Sequence, residues 1–249
     1  QLDKMIEPAD NAIRADKKKP NQNPYILKVT SYYERKMYKE AIKVLEEVVQ
    51  VFPENKQWWT QLGQFYLLVE NYAKSLQTLE LAYMQGFLEK ENEVKMLVQL
   101  FSTNQLPYKA ATTLTKHMDE GLITRDNKNI ETLANAWHSA LHIDKAAAAY
   151  SELAKLTNEA KHYRKSGSLY VQDEQFKKGI AALSKALELG AKNPGRLHMS
   201  IAESHFYLGQ YKQAYKAINK AMEYPKTRKS AKSWAGFIKS TAQRKGVSV

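Results

Sequence analysis

The sequence predicts an all-α solenoid of stacked helical hairpins. Three observations carry that expectation. Small residues recur along the 249-residue chain at Ala41, Ser75, Ala110, Ala146, Gly179 and Ala214, with gaps of 34, 35, 36, 33 and 35 residues. The same frame surrounds each of them. An aromatic or its substitute stands nine residues earlier (Tyr32, Tyr66, Phe101, Trp137, Tyr170, His205), and a slim residue three before that (Val29, Gly63, Val98, Ala134, Gly167, Ala202). A bulky residue follows four later (Leu45, Leu79, Leu114, Tyr150, Leu183, Ile218). Helix-breaking residues fall between the frames. The physical reason for the frame is close packing. Slim and small residues let two helices approach, and the aromatic and the bulky aliphatic fill the remaining space. A lone hairpin cannot bury its apolar face, so copies must stack.

Each element follows in order. Leu2 to Ala15 reads as the second helix of a truncated pair, with Ile6 and Ala9 in the bulky and small positions, and 1–21 adds a polar linker from Lys17 to Pro24. That missing first helix implies further repeats upstream. The first full repeat, 22–55, closes at Pro53. The second, 56–90, turns at Asn71-Tyr-Ala and ends near Gly86. The third, 91–126, turns at Leu106-Pro107-Tyr and breaks at Gly121. The fourth, 127–159, turns at His142-Ile-Asp144. The fifth, 160–194, turns at Gln172-Asp-Glu and breaks at Gly190 and Pro194. The sixth, 195–226, turns at Gly209-Gln-Tyr and ends at Pro225. Residues 227–249 read as a basic amphipathic capping helix and tail; from Lys226 onward there are seven Lys or Arg and no acid. The expectation is about fourteen helices, no strands, and one array over 1–249.

A period near 34 with Trp59-Thr-Gln-Leu62-Gly63-Gln-Phe-Tyr66 matching W-x2-L-G-x2-Y is the pattern of the tetratricopeptide repeat, TPR. Such arrays bind partners along the face lined by the first helix of each repeat, an expectation from fold. The repeat frame places Gln57, Thr60, Gln64, Leu67 and Leu68 in that groove, then Lys95 and Gln99, then Lys128 and Asn135. It continues with Lys161, Arg164 and Lys165, and ends with Arg196, Met199, Glu203, Phe206 and Tyr207. The groove thus runs from a neutral, leucine-bearing end through a basic middle to an aromatic end. It suits an extended or helical peptide with some acidic character. TPR proteins that clamp a C-terminal carboxylate use Lys and Asn side chains. The matching positions here, Lys95, Gln99, Thr132, Lys161 and Lys165, keep the cations and replace both asparagines.

No enzyme chemistry is legible. There is no Walker A loop, dinucleotide glycine fingerprint or G-x-S-x-G elbow, and no cysteine. His138 and His142 have metal-ligand spacing but no third ligand. The reading is therefore a non-enzyme without metal or cofactor. No apolar run approaches the roughly 18 residues of a membrane helix. The net charge of +12 supports an alternative reading, a basic module for a polyanion such as RNA, anionic lipid or acidic glycan. RNA is disfavoured because no side chain recurs at a fixed repeat position as a base reader. The basic tail leaves room for peripheral membrane contact, and the uncovered first helix for self-association.

Several stretches go beyond the generic repeat. They are Tyr38-Lys-Glu-Ala-Ile-Lys-Val-Leu-Glu-Glu, Leu79-Glu-Leu-Ala-Tyr-Met-Gln-Gly-Phe-Leu-Glu-Lys-Glu, Leu106-Pro-Tyr-Lys-Ala-Ala and Glu131-Thr-Leu-Ala-Asn-Ala-Trp137. Their order resembles the periplasmic TPR protein associated with TonB–ExbB–ExbD energy-transduction systems of Gram-negative bacteria. The resemblance implies a periplasmic scaffold with a signal peptide, supporting TonB-dependent uptake, with a component of that system as partner. The cytoplasm is the alternative location.

Overall fold

The structure, a computed structural model, describes residues 3–15 and 21–249. The expected linker residues Lys17 to Pro20, and Leu2 of the truncated pair, lie outside the described residues. Fourteen α-helices, one 3-10 turn (Asp3–Met5) and no strand are present among the described residues. In order these are α1 (Ile6–Ala15), α2 (Asn23–Glu34), α3 (Tyr38–Val51), α4 (Lys56–Leu68), α5 (Tyr72–Met84), α6 (Glu91–Thr103) and α7 (Pro107–Asp119). They continue with α8 (Asn127–Ser139), α9 (Ile143–Thr157), α10 (Ala160–Gln172), α11 (Phe176–Glu188), α12 (Pro194–Tyr207), α13 (Tyr211–Met222) and α14 (Arg228–Arg244). The chain divides into two compact units, 1–113 and 114–249, with the division inside α7. In the first unit α1 through α6 pack in succession, and in the second α8 through α14 do so.

Six hairpin turns share one backbone device. Lys36, Glu70, Gln105, Leu141, Glu174 and Gly209 all adopt left-handed φ between 57° and 71°. Each stands five residues before its small residue. In the first, Lys36 N–H donates to the Tyr33 carbonyl at 2.9 Å and Met37 N–H to the Tyr32 carbonyl at 2.8 Å. The same two bonds recur at the other five turns, the second always ending on the aromatic position or its His205 substitute. This is the Schellman arrangement, which satisfies carbonyls orphaned at a helix end. A left-handed L residue costs about 1–2 kcal/mol, so five turns other than Gly209 hold that strain. Leu141, 80% exposed, is the apolar one among them.

The frame residues pack as their sizes require. Ala41, Leu45, Ser75 and Leu79 are fully buried in the first unit, and Ala146, Ala202, Ala214 and Ile218 in the second. A methyl group on Gly63 would overlap the Leu79 side chain; one on Gly167 would stand 2.8 Å from Leu183 Cγ. Ser75 adds a buried hydrogen bond, its hydroxyl donating to the Gly63 carbonyl at 2.7 Å. The residue before the small position is Lys in four repeats, and each covers its own aromatic. Lys74 lies 5.2 Å from the Tyr66 ring centre, Lys109 5.6 Å from Phe101, Lys145 4.3 Å from Trp137 and Lys178 5.4 Å from Tyr170. These are cation–π distances.

All six histidines belong to the second unit. Burial holds His117, His138, His162 and His198 below the ordinary 6.5; Lys165 adds to the effect at His138, and Lys161 at His162. A folded-state value below the unfolded one means the unfolded chain binds more protons as pH falls. The stability these groups contribute is full above about 6.5 and is lost as pH falls below it. Hydrogen exchange at pH 7.5 and pH 5.5 is expected to show faster opening of residues 114–249 at the lower pH, with residues 3–113 little changed. Equal acceleration in both units would count against this account.

Candidate functional site

In the first unit, α2 and α4 line a cleft of about 540 Å³. Its walls are Val29, Thr30 and Tyr33 from α2 and Gln61, Gln64, Phe65, Leu67 and Leu68 from α4. A second cleft, of about 260 Å³, shares Val29, Thr30 and Gln61 and adds Gln22, Ile26, Gln57 and Trp58. No lining residue of either is charged. The spacing Gln57, Gln61, Gln64 places three amides along one face of α4. Asn55 starts that helix by accepting from the Gln57 N–H at 3.0 Å. Gln22 anchors the entrance, accepting from Asn55 Nδ2 at 2.8 Å and from Trp58 Nε1 at 3.2 Å. The floor is aromatic: Phe65 lies 5.7 Å from Tyr33, ring centre to ring centre. Tyr33 and Leu68 remain 47% and 49% exposed.

One polar atom of this site stands out. The side-chain oxygen of Gln61 is buried and has no hydrogen-bond partner. Buried acceptors are nearly always paired, because an unpaired one loses the hydration it had in the unfolded chain.

The structure gathers some expected groove residues and disperses others. Gln64, Leu67 and Leu68 line the larger cleft and Gln57 the smaller one. Thr60 does not; it is buried, and its hydroxyl donates back to the carbonyls of Gln57 at 3.0 Å and Lys56 at 3.3 Å. A threonine can close such bonds within its own helix, which the repeat frame does not reveal. Lys95 pairs with Glu91 at 3.4 Å, and Gln99 bonds Thr103 at 3.4 Å. In the second unit, Asn135 accepts from the Tyr150 hydroxyl, and Lys165 stands 5.7 Å from the same ring. Burial, then Glu131, pushes the Tyr150 hydroxyl up. Lys161 pairs with Glu159 at 2.8 Å, and Thr132 bonds the Lys128 carbonyl at 2.9 Å. Lys128 and Arg164 are exposed, and Glu203 is half-buried. Arg196 lines a separate cleft of about 460 Å³ with Asn193, Tyr224 and Lys226.

The aromatic end differs from an open groove. Met199 and Phe206 are partly buried against the core, and α14 lays Trp234 and Phe237 within 5.9 Å and 5.3 Å of the Phe206 ring centre. Tyr207 stays exposed, stacked on Phe176 at 5.2 Å.

Gln61, Thr30 and Tyr33 are among the lining residues that the sequence does not assign to the groove, with Val29, Phe65, Gln22, Ile26 and Trp58 the others; the first three follow from the groove positions. The same repeat frame, applied one position past Thr60 and one repeat earlier, would have reached them. Among the described residues no three His, Asp or Glu side chains group as metal ligands, and no helix is long and apolar enough to cross a membrane.

A tetratricopeptide-repeat family model matches residues 195–227. No curated protein matches in sequence. Solved structures are similar in fold. A chain of Naa15/Naa10 bound to HypK-THB is 12% identical, with TM-score 0.66, covering 96% of this chain and 37% of that one. YrrB, described as a TPR protein with an unusual peptide-binding site, is 17% identical with TM-score 0.52, covering 76% and 95%. A tetratricopeptide repeat protein from Parabacteroides merdae ATCC 43184 is 13% identical with TM-score 0.47, covering 95% and 92%. The fold is that of a TPR protein, an architecture suited to protein or peptide partners.

Proposed function

We propose that the chain is a non-enzymatic scaffold holding an extended, uncharged peptide segment of another protein in the cleft between α2 and α4. The observation that carries this reading is the uncharged cleft itself, with Tyr33 and Leu68 about half exposed on its walls. A peptide laid along the cleft meets the exposed side-chain amides of Gln57 and Gln64, which can bond its backbone N–H and C=O groups. The uncharged walls select against a charged occupant, which would lose its hydration without gaining a counter-charge. Val29, Phe65, Leu67 and Leu68 supply apolar contact for its side chains.

The sequence resemblance extends the reading to a partner. It makes the segment part of a TonB-system envelope protein, met in the periplasm in support of TonB-dependent transport. The test is a titration of this chain with the soluble periplasmic part of a TonB-type protein at low and high salt. Saturable binding is expected to survive high salt, because the cleft is neutral. Gln64→Leu should weaken it about tenfold, by leaving a peptide backbone group unpaired, and Leu68→Ser by a similar factor. Binding that vanishes with salt, or that ignores both substitutions, would sink the proposal.

A further inference from the structure

The positive charge of this protein is concentrated at one end of its sequence. Residues 192–249 hold twelve Lys or Arg against two acids, Glu203 and Glu223, and so account for ten of the twelve net charges. These residues form α12, α13 and α14. Glu223 is already neutralised by Lys220 at 3.0 Å. Lys212 and Lys216 on α13, and Lys229, Lys232 and Lys239 on α14, are exposed and without a carboxylate partner among the described residues.

Capping does not account for this. A terminal helix needs an apolar inner strip and a solvated outer face. The inner strip of α14 is present in buried Ala231, Ala235, Ile238 and Ala242. A solvated outer face works equally well with mixed charges, and one sign alone adds self-repulsion that opposes folding. Elsewhere many cations find a carboxylate, as Lys74 does at Glu46 and Lys116 at Glu120, although α10 also carries three cations and no acid of its own. On α13 and α14 the acids are missing where the cations are densest.

The outer side of α14 carries a second feature. By helical spacing, Lys229, Lys232 and Lys239 fall on one flank of that side and Phe237 on the other. Phe237 touches Phe206 at 5.3 Å and Trp234 at 5.9 Å between ring centres, yet it is 50% exposed. The apolar strip of α14 is spent on the core, so a lipid surface would be met by the exposed lysines, through headgroup phosphates, and by the half-exposed Phe237 ring.

We propose that the outer faces of α13 and α14 dock on an anionic lipid surface, with Lys212, Lys216, Lys229, Lys232 and Lys239 against headgroup phosphates and the Phe237 ring at the headgroup–acyl boundary. A lipid surface fits these observations better than a nucleic acid strand. Strand binding combines a basic groove that tracks the backbone with aromatic platforms for the bases. Here the five lysines stand on outward helix faces and not in a groove, and Phe237 is the one exposed ring among the described residues of α13 and α14, not a row of platforms. The inference goes beyond the peptide-scaffold reading and does not depend on it, since the cleft residues belong to the first unit.

The experiment is co-sedimentation of the full 249-residue chain with phosphatidylcholine vesicles, with and without phosphatidylglycerol, and with single-stranded RNA as competitor. Partition onto the phosphatidylglycerol vesicles alone is expected, falling as salt rises. Each cation near an anionic surface raises affinity about fivefold. The triple variant Lys229→Gln, Lys232→Gln, Lys239→Gln should therefore lose about a hundredfold, a change of exposed residues that keeps helix propensity. Phe237→Ser should lose about fivefold through its apolar contact. Gln64→Leu should leave vesicle binding unchanged, which separates this surface from the cleft. The proposal is overturned by a wild-type chain that ignores anionic vesicles, or by vesicle binding that the triple variant retains. It is overturned in favour of a nucleic acid if RNA strips the chain from vesicles at equal phosphate concentration.

Discussion

Replacing Leu79 with Ala is expected to destabilise the first unit by about 3 kcal/mol, and replacing Gly63 with Ala by about 1–2 kcal/mol. Leu79 is fully buried, so truncation leaves a cavity with lost contacts on every side. Gly63 is the reverse case, because an added methyl would overlap that same side chain. Helix propensity favours Ala over Gly by roughly 1 kcal/mol, so any net loss measures the steric conflict. The decisive measurement is the double variant in a urea unfolding cycle. The methyl from Gly63→Ala partly refills the space vacated by Leu79→Ala, so the double should be more stable than the sum of the singles. Additive losses would mean that the two positions do not pack as a pair.

Ile238→Ala is the second large effect, expected at about 3 kcal/mol. Ile238 is fully buried against the cluster holding Ile218 and Ala221. Stacked hairpins contact only their neighbours, so the loss should be local. Hydrogen exchange should show α14 opening first and α13 next, with α8 and α9 nearly unaffected. Uniform acceleration across the second unit would contradict nearest-neighbour stacking.

The helices were legible because the frame is dictated by packing, and packing repeats. Gly63 and Gly167 could be read as contact points before any coordinates, since only a missing side chain admits Leu79 and Leu183 so closely. The left-handed turns were less legible. Glycine advertises positive φ, yet of the six hairpin turns only one uses it, at Gly209, while Lys36, Glu70, Gln105, Leu141 and Glu174 adopt the same φ under backbone hydrogen bonds. The seating of lysines 74, 109, 145 and 178 over their aromatics was not legible, because a helical position does not say which ring the ammonium meets. Thr60 and Gln61 show the same limit at the candidate site. They are sequence neighbours with similar polarity, but one closes its bonds within its own helix and the other does not.

The turn geometry has a consequence for how this protein can vary. Each reversal is held by main-chain atoms, so the side chain at its apex is released from any structural duty. Lys36, Glu70, Gln105, Leu141 and Glu174 differ in charge and size while the bonds around them stay the same. The fold therefore keeps a set of apices, about one every thirty-five residues along the chain, where the surface can be rewritten with any residue that tolerates positive φ, Pro and β-branched residues excepted. An experimenter can attach a spectroscopic label at the same apices without touching the stack.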